Sequence, residues 1–310
     1  MDMYQKRKMR AENKKNEEQK SCSKVSISWY PGHMVKAQNE IRESLKLIDI
    51  VVEVLDARIP LSSQNPIIDN LAKDKARIVV LNKSDLADED MTKVFKEYFK
   101  NNGISCIDVN SENKSDIKKI IDEIKKIGEK IYSEKYKNRS VEIKPIYRVL
   151  ISGIPNVGKS TIINKISGKN SAAVGNKPGV TVRKQWIRVN GNIDLLDTPG
   201  ILWPNLNDKN AGINLAITGN IKQEILDLEE VACFGLDIIL NNNKYRKMLQ
   251  DKYKLSDEDI KNISYDILEI IGRKRGCVIS GGNIDMTKSA RAFLEDLKSG
   301  KIGKMTFDKI

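Results

Sequence analysis

The feature that most restricts the fold of this 310-residue chain is a glycine-rich segment near its middle, residues 153–160. Four residues separate Gly153 from Gly158, and Lys159 and Ser160 follow at once. An apolar run leads into the segment, and a helical pattern leads out of it. Glycines let backbone N–H groups converge on a phosphate, and the start of a helix adds partial positive charge. The segment therefore predicts a polyphosphate-binding loop, the alternative being a glycine-rich turn that matches by chance.

The residue types in this loop have separate expected tasks. Lys159 would reach the β- and γ-phosphates, and the Ser160 hydroxyl would bind Mg²⁺. The other loop residues expected to contact the nucleotide are Asn156, Val157, Gly158 and Thr161. We therefore expect a nucleotide with its magnesium ion at this loop.

Two downstream segments supply further groups that a nucleoside triphosphate with Mg²⁺ needs. A second apolar strand ends in Asp197, where a carboxylate can bind the metal. Gly200 can bring its N–H against a γ-phosphate because no side chain intervenes. Between these motifs, Thr181 offers a second hydroxyl ligand for the metal. Together these matches argue against a chance origin for the loop pattern.

A base-reading motif lies upstream of the loop. Residues 77–81 form a β-type run that leads into the sequence Asn82-Lys83-Ser84-Asp85. The Asp85 carboxylate can accept two parallel hydrogen bonds from the N1–H and N2–H₂ groups of guanine, a donor pair that adenine lacks. We therefore expect Asn82, Lys83 and Asp85 to bind GTP in preference to ATP. A segment of this kind by itself is also often an ordinary helix-capping turn.

The order of the motifs predicts an unusual connectivity. In most GTPases the phosphate loop comes first and the guanine motif last, whereas here Asn82 precedes Gly153. Strands alternate with helices, which predicts a doubly wound α/β sheet with ligands at the carboxyl ends of its strands. The expected fold is a circularly permuted P-loop GTPase domain over residues 25–204. A flexible basic tail, residues 1–24, precedes it, and a small all-α domain, residues 205–310, follows it.

Two further segments give the chain a family resemblance. Residues 29–34 are Trp-Tyr-Pro-Gly-His-Met, and residues 56–60 are Asp-Ala-Arg-Ile-Pro. With the nucleotide motifs, they make the sequence from about Ser28 to near the C-terminus resemble the circularly permuted GTPases, specifically the bacterial GTPases that assemble the large ribosomal subunit. The resemblance implies GTP and GDP as ligands, and the RNA and proteins of that subunit as partners. It also implies a loop at Asn110 and Ser111 against the guanine oxygen.

Hydrolysis needs a group that orients the attacking water. Ras-like enzymes place a Gln just after the Asp-x-x-Gly motif, but here Ile201, which has no hydrogen-bonding side chain, takes that position. His33 is the only histidine and lies on a Pro-Gly loop, and a neutral imidazole can accept a proton or hold a water. We therefore expect His33, Lys159 and Thr181 to be catalytic, a structural or RNA-contacting His33 being the alternative. Asn156 resembles the residue with which some GTPases bind K⁺ as an activator, or it simply fits the loop.

The charge of the chain favours a polyanionic partner. Lys and Arg outnumber Asp and Glu by 54 to 42, which gives a net charge of +12. From residue 205 onward the charges are nearly balanced, so the positive groups there are local. The candidate RNA-binding residues are Arg273, Lys274, Arg275, Lys301 and Lys304, the alternative being a solvated helix face.

The leading functional hypothesis is a GTPase that promotes late maturation of the large ribosomal subunit and is a monomer off the ribosome. A hypothesis of a different class is a GTP-gated RNA-binding scaffold with negligible catalytic turnover. Both use the same nucleotide site, and they differ in whether hydrolysis is needed.

Helical spacing predicts the elements of the C-terminal domain individually. We expect helices over residues 211–221, 222–228, 231–240, 245–252, 257–271 and 287–298. Ser256 is expected to be an N-cap and Gly272 a helix stop.

Several functional classes are not indicated by the sequence. The four cysteines are scattered and include no C-x-x-C pair, which argues against a disulfide framework and a zinc site. No apolar run approaches the roughly 18 residues of a membrane helix, and the N-terminus lacks the apolar core of a signal peptide. We therefore expect a cytoplasmic protein with no membrane partner.

Overall fold

The computed structural model describes residues 42–137, 145–168, 185–189, 192–197, 209–221 and 227–310. The predicted basic tail, His33, Thr181 and Gly200 lie outside these residues. The predicted domain boundary between residues 204 and 205 also lies outside them, so the division of the chain at that point stays a prediction.

A six-stranded sheet organises the first half of the described chain. Its strands are β1 (Ile50–Asp56), β2 (Ala76–Asn82), β3 (Ser105–Val109), β4 (Tyr147–Ser152), β5 (Gln185–Val189) and β6 (Ile193–Asp197). Their spatial order is β3-β2-β1-β4-β6-β5, and all neighbouring pairs are parallel except β5 with β6. Parallel strands share a direction, so the carboxyl ends of β1, β2, β3, β4 and β6 lie along one edge of the sheet.

Strand β1 lies in the middle of this sheet and is buried along its whole length. Its sequence is rich in β-branched residues, which pack well on a pleated surface that is covered on both faces. Apart from Glu53 and the terminal Asp56, the strand is apolar. The two carboxylates are therefore exceptions that need partners in the interior.

Besides a helical segment at residues 42–45, nine α-helices accompany the sheet within the described residues. They are α1 (Pro66–Leu71), α2 (Glu89–Asn101), α3 (Lys114–Lys135), α4 (Lys159–Ser167), α5 (Lys209–Ile217), α6 (Leu228–Leu240), α7 (Asn243–Tyr253), α8 (Ser264–Lys274) and α9 (Met286–Lys298). None of the helices in these ranges is long and apolar enough to span a bilayer.

The sequence analysis did not predict helix α1, although the residues at its start are typical of a helix N-terminus. The side chain of Asn65 accepts a hydrogen bond from the Ile67 N–H at 3.0 Å. Pro66 occupies the first helical position, where an N–H would have no intrahelical partner. An Asn-Pro pair before an apolar residue could therefore have predicted this short helix.

The start and the end predicted for the helix over residues 257–271 are both wrong. The helix expected over residues 257–271 is divided into a 3₁₀ turn at Asp259–Lys261 and helix α8, which begins at Ser264. Ser256 is a cap, but its hydroxyl accepts from the Asp259 N–H at 3.1 Å and so serves the 3₁₀ turn.

Gly272 is not a helix stop. Helix α8 continues to Lys274, and Gly276, at φ 70°, follows its end. A Cβ on Gly272 would overlap the Ser289 hydroxyl of α9. The glycine is therefore present for close approach of two helices, a requirement that helical spacing alone does not show.

The other C-terminal elements agree with the predictions more closely. Helix α5 ends at Ile217, four residues before its predicted end, and α6, α7 and α9 each begin within three residues of the predicted starts. Of the helix predicted over residues 222–228, residues 222–226 lie outside the described part.

One cluster of buried apolar side chains joins the sheet to the C-terminal helices. It includes Val54 and Ile151 of the sheet together with Leu215, Leu236 and Phe293 of the helices. The C-terminal helices therefore share buried apolar packing with the sheet.

Candidate nucleotide site

The phosphate-loop candidate lies at the carboxyl end of β4 and leads directly into α4. Gly153 and Gly158 have φ angles of 149° and 101°, and Asn156 lies in the left-handed region at φ 62°. A Cβ on Gly153 would overlap the Val54 carbonyl, and a Cβ on Gly158 would overlap the side-chain amide of Asn82. Both positions therefore require glycine, a residue that also lets backbone N–H groups approach an anion closely.

Helix α4 begins without a side-chain cap, because its N-cap is Gly158. The N–H groups of the first turn of a helix have no intrahelical acceptors, so an uncapped start suits an anion. Lys159 is buried, and its Nζ donates to the Ile154 carbonyl of the loop at 2.8 Å. Ser160 follows in the first turn and is half-buried. Lys159 and Ser160 therefore lie at the uncapped start of α4, and their phosphate and metal tasks stay predictions.

A single side chain, Asn82, joins three of the predicted motifs. Its Nδ2 donates to the Val157 carbonyl of the phosphate loop at 2.6 Å, and its Oδ1 accepts from the Ser111 N–H at 3.0 Å. Asn82 is 1% exposed, so both hydrogen bonds lie in the interior. The guanine motif, the phosphate loop and the loop after β3 therefore meet at one edge of the sheet.

The loop after β3 is fixed by its own hydrogen bonds. The Asn110 N–H donates to Asp116 at 2.9 Å, and the Asn110 side chain accepts from the Glu112 N–H at 2.9 Å. Lys165 of α4 forms an ion pair with Glu112 at 2.7 Å. These contacts hold Asn110 and Ser111 beside the phosphate loop. We expect the guanine oxygen to lie at Asn110 and Ser111.

The two charged residues of the guanine motif have different surroundings. Asp85 is exposed within the 3₁₀ turn Ser84–Leu86, which leaves its carboxylate accessible to a ligand. Lys83 is left-handed at φ 60°, and its Nζ donates to Asp56 at 2.8 Å. Burial lowers the pKa of Lys83, although the Asp56 carboxylate opposes this shift.

Sequence reasoning gave no role to Asp56 or Arg58, which lie beside this site. Arg58 donates to both oxygens of Asp56, from Nε at 2.9 Å and from Nη2 at 2.7 Å. Burial alone would raise the pKa of Asp56, but the charges of Arg58 and Lys83 outweigh it and hold the pKa below its usual range. An acidic residue at the carboxyl end of a buried parallel strand is a signal that could have identified this pair.

The metal side of the site is described only in part. The backbone of Asp197 ends β6 in register with Ile151 of β4, the strand that enters the phosphate loop. A hydroxyl at Ser160 and a carboxylate from the neighbouring strand are the oxygen donors that Mg²⁺ prefers. The remaining predicted groups, His33, Thr181 and Gly200, lie outside the described residues.

The five basic residues predicted to bind RNA all have exposed side chains with intramolecular partners. The contacts are Arg273 with Glu269 at 3.5 Å, Lys274 with the Lys254 carbonyl at 2.6 Å, Arg275 with Asp296 at 3.4 Å, Lys301 with Asp296 at 3.9 Å, and Lys304 with Glu89 at 2.6 Å. The structure therefore brings Arg275 and Lys301 together at Asp296, whereas Lys304 lies against the start of α2.

Known proteins resemble this chain over most of its length. The 50S ribosome-binding GTPase family matches residues 148–273. Ribosome biogenesis GTPase A of Bacillus licheniformis is 44% identical over 283 residues, which cover 91% of this chain and 98% of that protein. The chain belongs to the ribosome biogenesis GTPase A family. The Thermotoga maritima relative of the same name is 32% identical and covers 91% of this chain and 94% of its own.

Solved structures support the assignment to the ribosome biogenesis GTPase A family. A GDP-bound structure of YlqF has a TM-score of 0.59 at 28% identity and covers 87% of this chain and 98% of that one. The crystal structure of GNP-bound YlqF from T. maritima has the same TM-score and identity. The predicted circularly permuted GTPase fold is confirmed, and the chain is a GTP-hydrolysing enzyme of ribosome biogenesis.

Proposed function

We propose that this GTPase binds the large ribosomal subunit in a nucleotide-dependent way and promotes its late maturation. The observation that carries the proposal is a contact between two segments. The C-terminal segment, residues 305–308, lies on the loop that follows the guanine motif. The Met305 N–H donates to the Leu86 carbonyl at 3.1 Å, and the Asp88 N–H donates to the Thr306 hydroxyl at 3.2 Å. A change at the guanine site can therefore reach the C-terminal region through direct hydrogen bonds.

GTP and GDP are the proposed ligands of the edge formed by the motifs. The exposed Asp85 carboxylate would read guanine, Asn110 and Ser111 would lie at its oxygen, and residues 156–161 would hold the phosphates. Ser160, Thr181 and Asp197 would hold Mg²⁺, which neutralises charge on the β- and γ-phosphate oxygens when bound.

His33 is the proposed group that orients the attacking water, because an imidazole can accept a proton or hold a water near neutral pH. Asn156 is the proposed ligand for an activating K⁺. Its Nδ2 donates to the Gly219 carbonyl at 3.0 Å, so its Oδ1 would be the atom that binds the ion. Lys159 and Thr181 complete the proposed catalytic set.

Ribosomal RNA is the proposed ligand of the exposed basic residues in the C-terminal region. Exposed ion pairs contribute at most about 1 kcal/mol, so Arg273 can exchange its partner Glu269 for a phosphate at little cost. Arg275 and Lys301 are exposed but share the buried carboxylate of Asp296, which keeps a hydrogen bond from the Tyr253 hydroxyl at 3.0 Å when they turn to a phosphate. Each phosphate contact adds to the salt dependence of binding. The full-length protein is proposed to be a monomer off the ribosome.

Co-sedimentation with purified large subunits tests the proposal. The full-length protein is incubated with GDP or with a non-hydrolysable GTP analogue at physiological salt. We expect the GTP analogue to increase the fraction bound, and a double Arg275→Ala and Lys301→Ala variant to lose binding and part of its salt dependence.

The matched control is a double Lys118→Ala and Lys126→Ala variant on α3, where both lysines are also exposed. This variant should bind like the wild type. Equal binding of the wild type in both nucleotide states would overturn the proposal.

A further inference from the structure

The Asp-Ala-Arg sequence at the end of β1 lies between the guanine motif and the C-terminal helices. Asp56 is fully buried and accepts hydrogen bonds from three different side chains. The donors are Arg58 through Nε and Nη2, Lys83 through Nζ at 2.8 Å, and Asn220 through Nδ2 at 3.3 Å. A buried carboxylate that satisfies donors from three parts of the chain fixes their relative positions.

The contact with Lys83 restricts a residue that is otherwise flexible. A lysine side chain carries about 2 kcal/mol of rotamer entropy, which a ligand must overcome if it orders the side chain itself. Here Asp56 and the left-handed backbone of Lys83 order it within the protein. The guanine motif is thus partly organised by a carboxylate that belongs to another strand.

Arg58 extends the same network to the C-terminal region. Its Nη1 donates to the Lys298 carbonyl at 3.0 Å, and its Nη2 donates to the Thr218 carbonyl at 3.1 Å. Lys298 is the last residue of α9, and Thr218 follows the last residue of α5. The carboxyl ends of helices carry partial negative charge, so a guanidinium is well placed between two of them. Arg58 is 3% exposed, which makes these contacts costly to lose.

The backbone of Arg58 also binds the C-terminal segment, because the Phe307 N–H donates to its carbonyl at 2.8 Å. Nearby, Asp308 accepts from the N–H groups of Leu61 and Ser62 at 2.7 and 2.8 Å. The loop that begins with Asp56 is therefore held by the C-terminal region over several residues.

We propose that Asp56 and Arg58 are positioning residues for guanine recognition: Asp56 holds the Lys83 ammonium in place for the nucleotide, and Arg58 makes that placement depend on the docked C-terminal helices. This inference rests on the assignment of Lys83 and Asp85 to the guanine site. Coupling between two sites is reciprocal. Nucleotide binding therefore strengthens the docking of the C-terminal segment by the same factor.

A double-mutant cycle on the full-length protein tests whether Asp56 positions Lys83 for the nucleotide. Isothermal titration calorimetry gives the GDP dissociation constant of the wild type, Asp56→Asn, Lys83→Ala and the double variant. We expect Asp56→Asn to weaken GDP binding by about tenfold, the effect of losing a hydrogen bond between charged groups. In the Lys83→Ala background, Asp56→Asn should not weaken GDP binding further. A purely structural role of Asp56 would instead weaken GDP binding by the same factor in both backgrounds. Additive effects, or tighter GDP binding by Asp56→Asn, would overturn the inference.

Two further variants separate the possible failures. Glu53→Gln removes another buried carboxylate of β1, whose partners Asn65 and Arg77 lie outside the guanine motif, and should leave GDP affinity unchanged. Asp85→Asn should shift the preference from GDP to xanthosine diphosphate. If it does not, the guanine-site assignment itself fails. If it does while Asp56→Asn binds GDP normally, only the positioning role fails.

Hydrogen exchange tests the proposed coupling between the nucleotide site and the C-terminal segment. Its first measurement uses the wild-type protein alone. In the wild type, GDP should slow exchange at the Met305 and Phe307 amides, which bond to Leu86 and Arg58. In Arg58→Lys the slowing at Phe307 should be reduced, because lysine cannot bridge Asp56 and two carbonyls at once. The absence of slowing by GDP in the wild type would overturn the coupling even if the variants fail to fold.

Discussion

The side-chain amide of Asn82 donates to the carbonyl of Val157 at 2.6 Å, across 75 residues of chain. This contact joins the strand that carries the guanine motif to the phosphate loop, although the two occur in reversed order along the chain. It lies in the middle of the sheet edge, because β2 and β4 both flank β1. Permutation has therefore changed the connections between the strands while the nucleotide loops remain adjacent.

Asn82→Ala should weaken GDP binding strongly. The substitution leaves the Val157 carbonyl and the Ser111 N–H without partners in the interior, at a cost of about 1–3 kcal/mol each. A loss of affinity of at least about tenfold should follow in a calorimetric titration. Asn102→Ala is the matched control, since Asn102 is an exposed helix cap that donates to the Tyr98 carbonyl. Unchanged affinity of Asn82→Ala would show that the contact does not organise the site.

Gly158→Ala should also disrupt nucleotide binding, through sterics instead of a lost hydrogen bond. Gly158 is left-handed at φ 101°, and a Cβ there would overlap the Asn82 amide. Gly168→Ala provides the control, because Gly168 is left-handed at φ 67° but has no atom within 4 Å of an added Cβ. Both variants should carry about 1–2 kcal/mol of backbone strain, and only Gly158→Ala should lose GDP affinity. Equal affinities of the two variants would contradict the argument that the Asn82 amide requires glycine at position 158.

The sequence predicted the sheet and the nucleotide motifs because these depend on local patterns. Apolar runs such as residues 50–55 define the strands, and each motif follows the strand that positions it. The rule that ligands lie at the carboxyl ends of parallel strands then brings Asn82 and Gly158 together without knowledge of the loops between them.

The contacts of Arg58 could not be predicted in the same way. Its bond to the Lys298 carbonyl spans 240 residues and has a backbone acceptor, which carries no signal in the side-chain pattern. Gly272 was misassigned for a related reason, since only the position of Ser289 on another helix shows why glycine is needed there. Contacts between distant elements therefore account for what sequence reasoning missed at Arg58 and Gly272.

His33→Ala should lower GTP turnover while leaving GDP affinity unchanged. A positioned general base or water-holding group contributes about 10²–10⁴-fold to a rate, so kcat should fall within that range. Phosphate release at saturating GTP, measured in the presence of large subunits, gives the rate. Normal GTP turnover by His33→Ala would show that His33 has a structural or RNA-contacting role instead. Abolished turnover with normal cell growth would favour the scaffold hypothesis over one that requires hydrolysis.

The stability of the protein should fall as pH rises through the titration of Glu53. This carboxyl is buried on β1, and burial raises its pKa from 4.5 to about 7, although the Asn65 N–H and Arg77 donate to it. The folded state therefore keeps a proton that the unfolded chain releases, so the contribution to stability is full below the unfolded pKa and is lost by about pH 7. Relative to Glu53→Gln, the free energy of unfolding of the wild type should decrease by up to about 3 kcal/mol between about pH 5 and about pH 8. Urea titrations of both proteins at the two pH values measure this difference, and a pH-independent difference would show that Glu53 is ionised throughout.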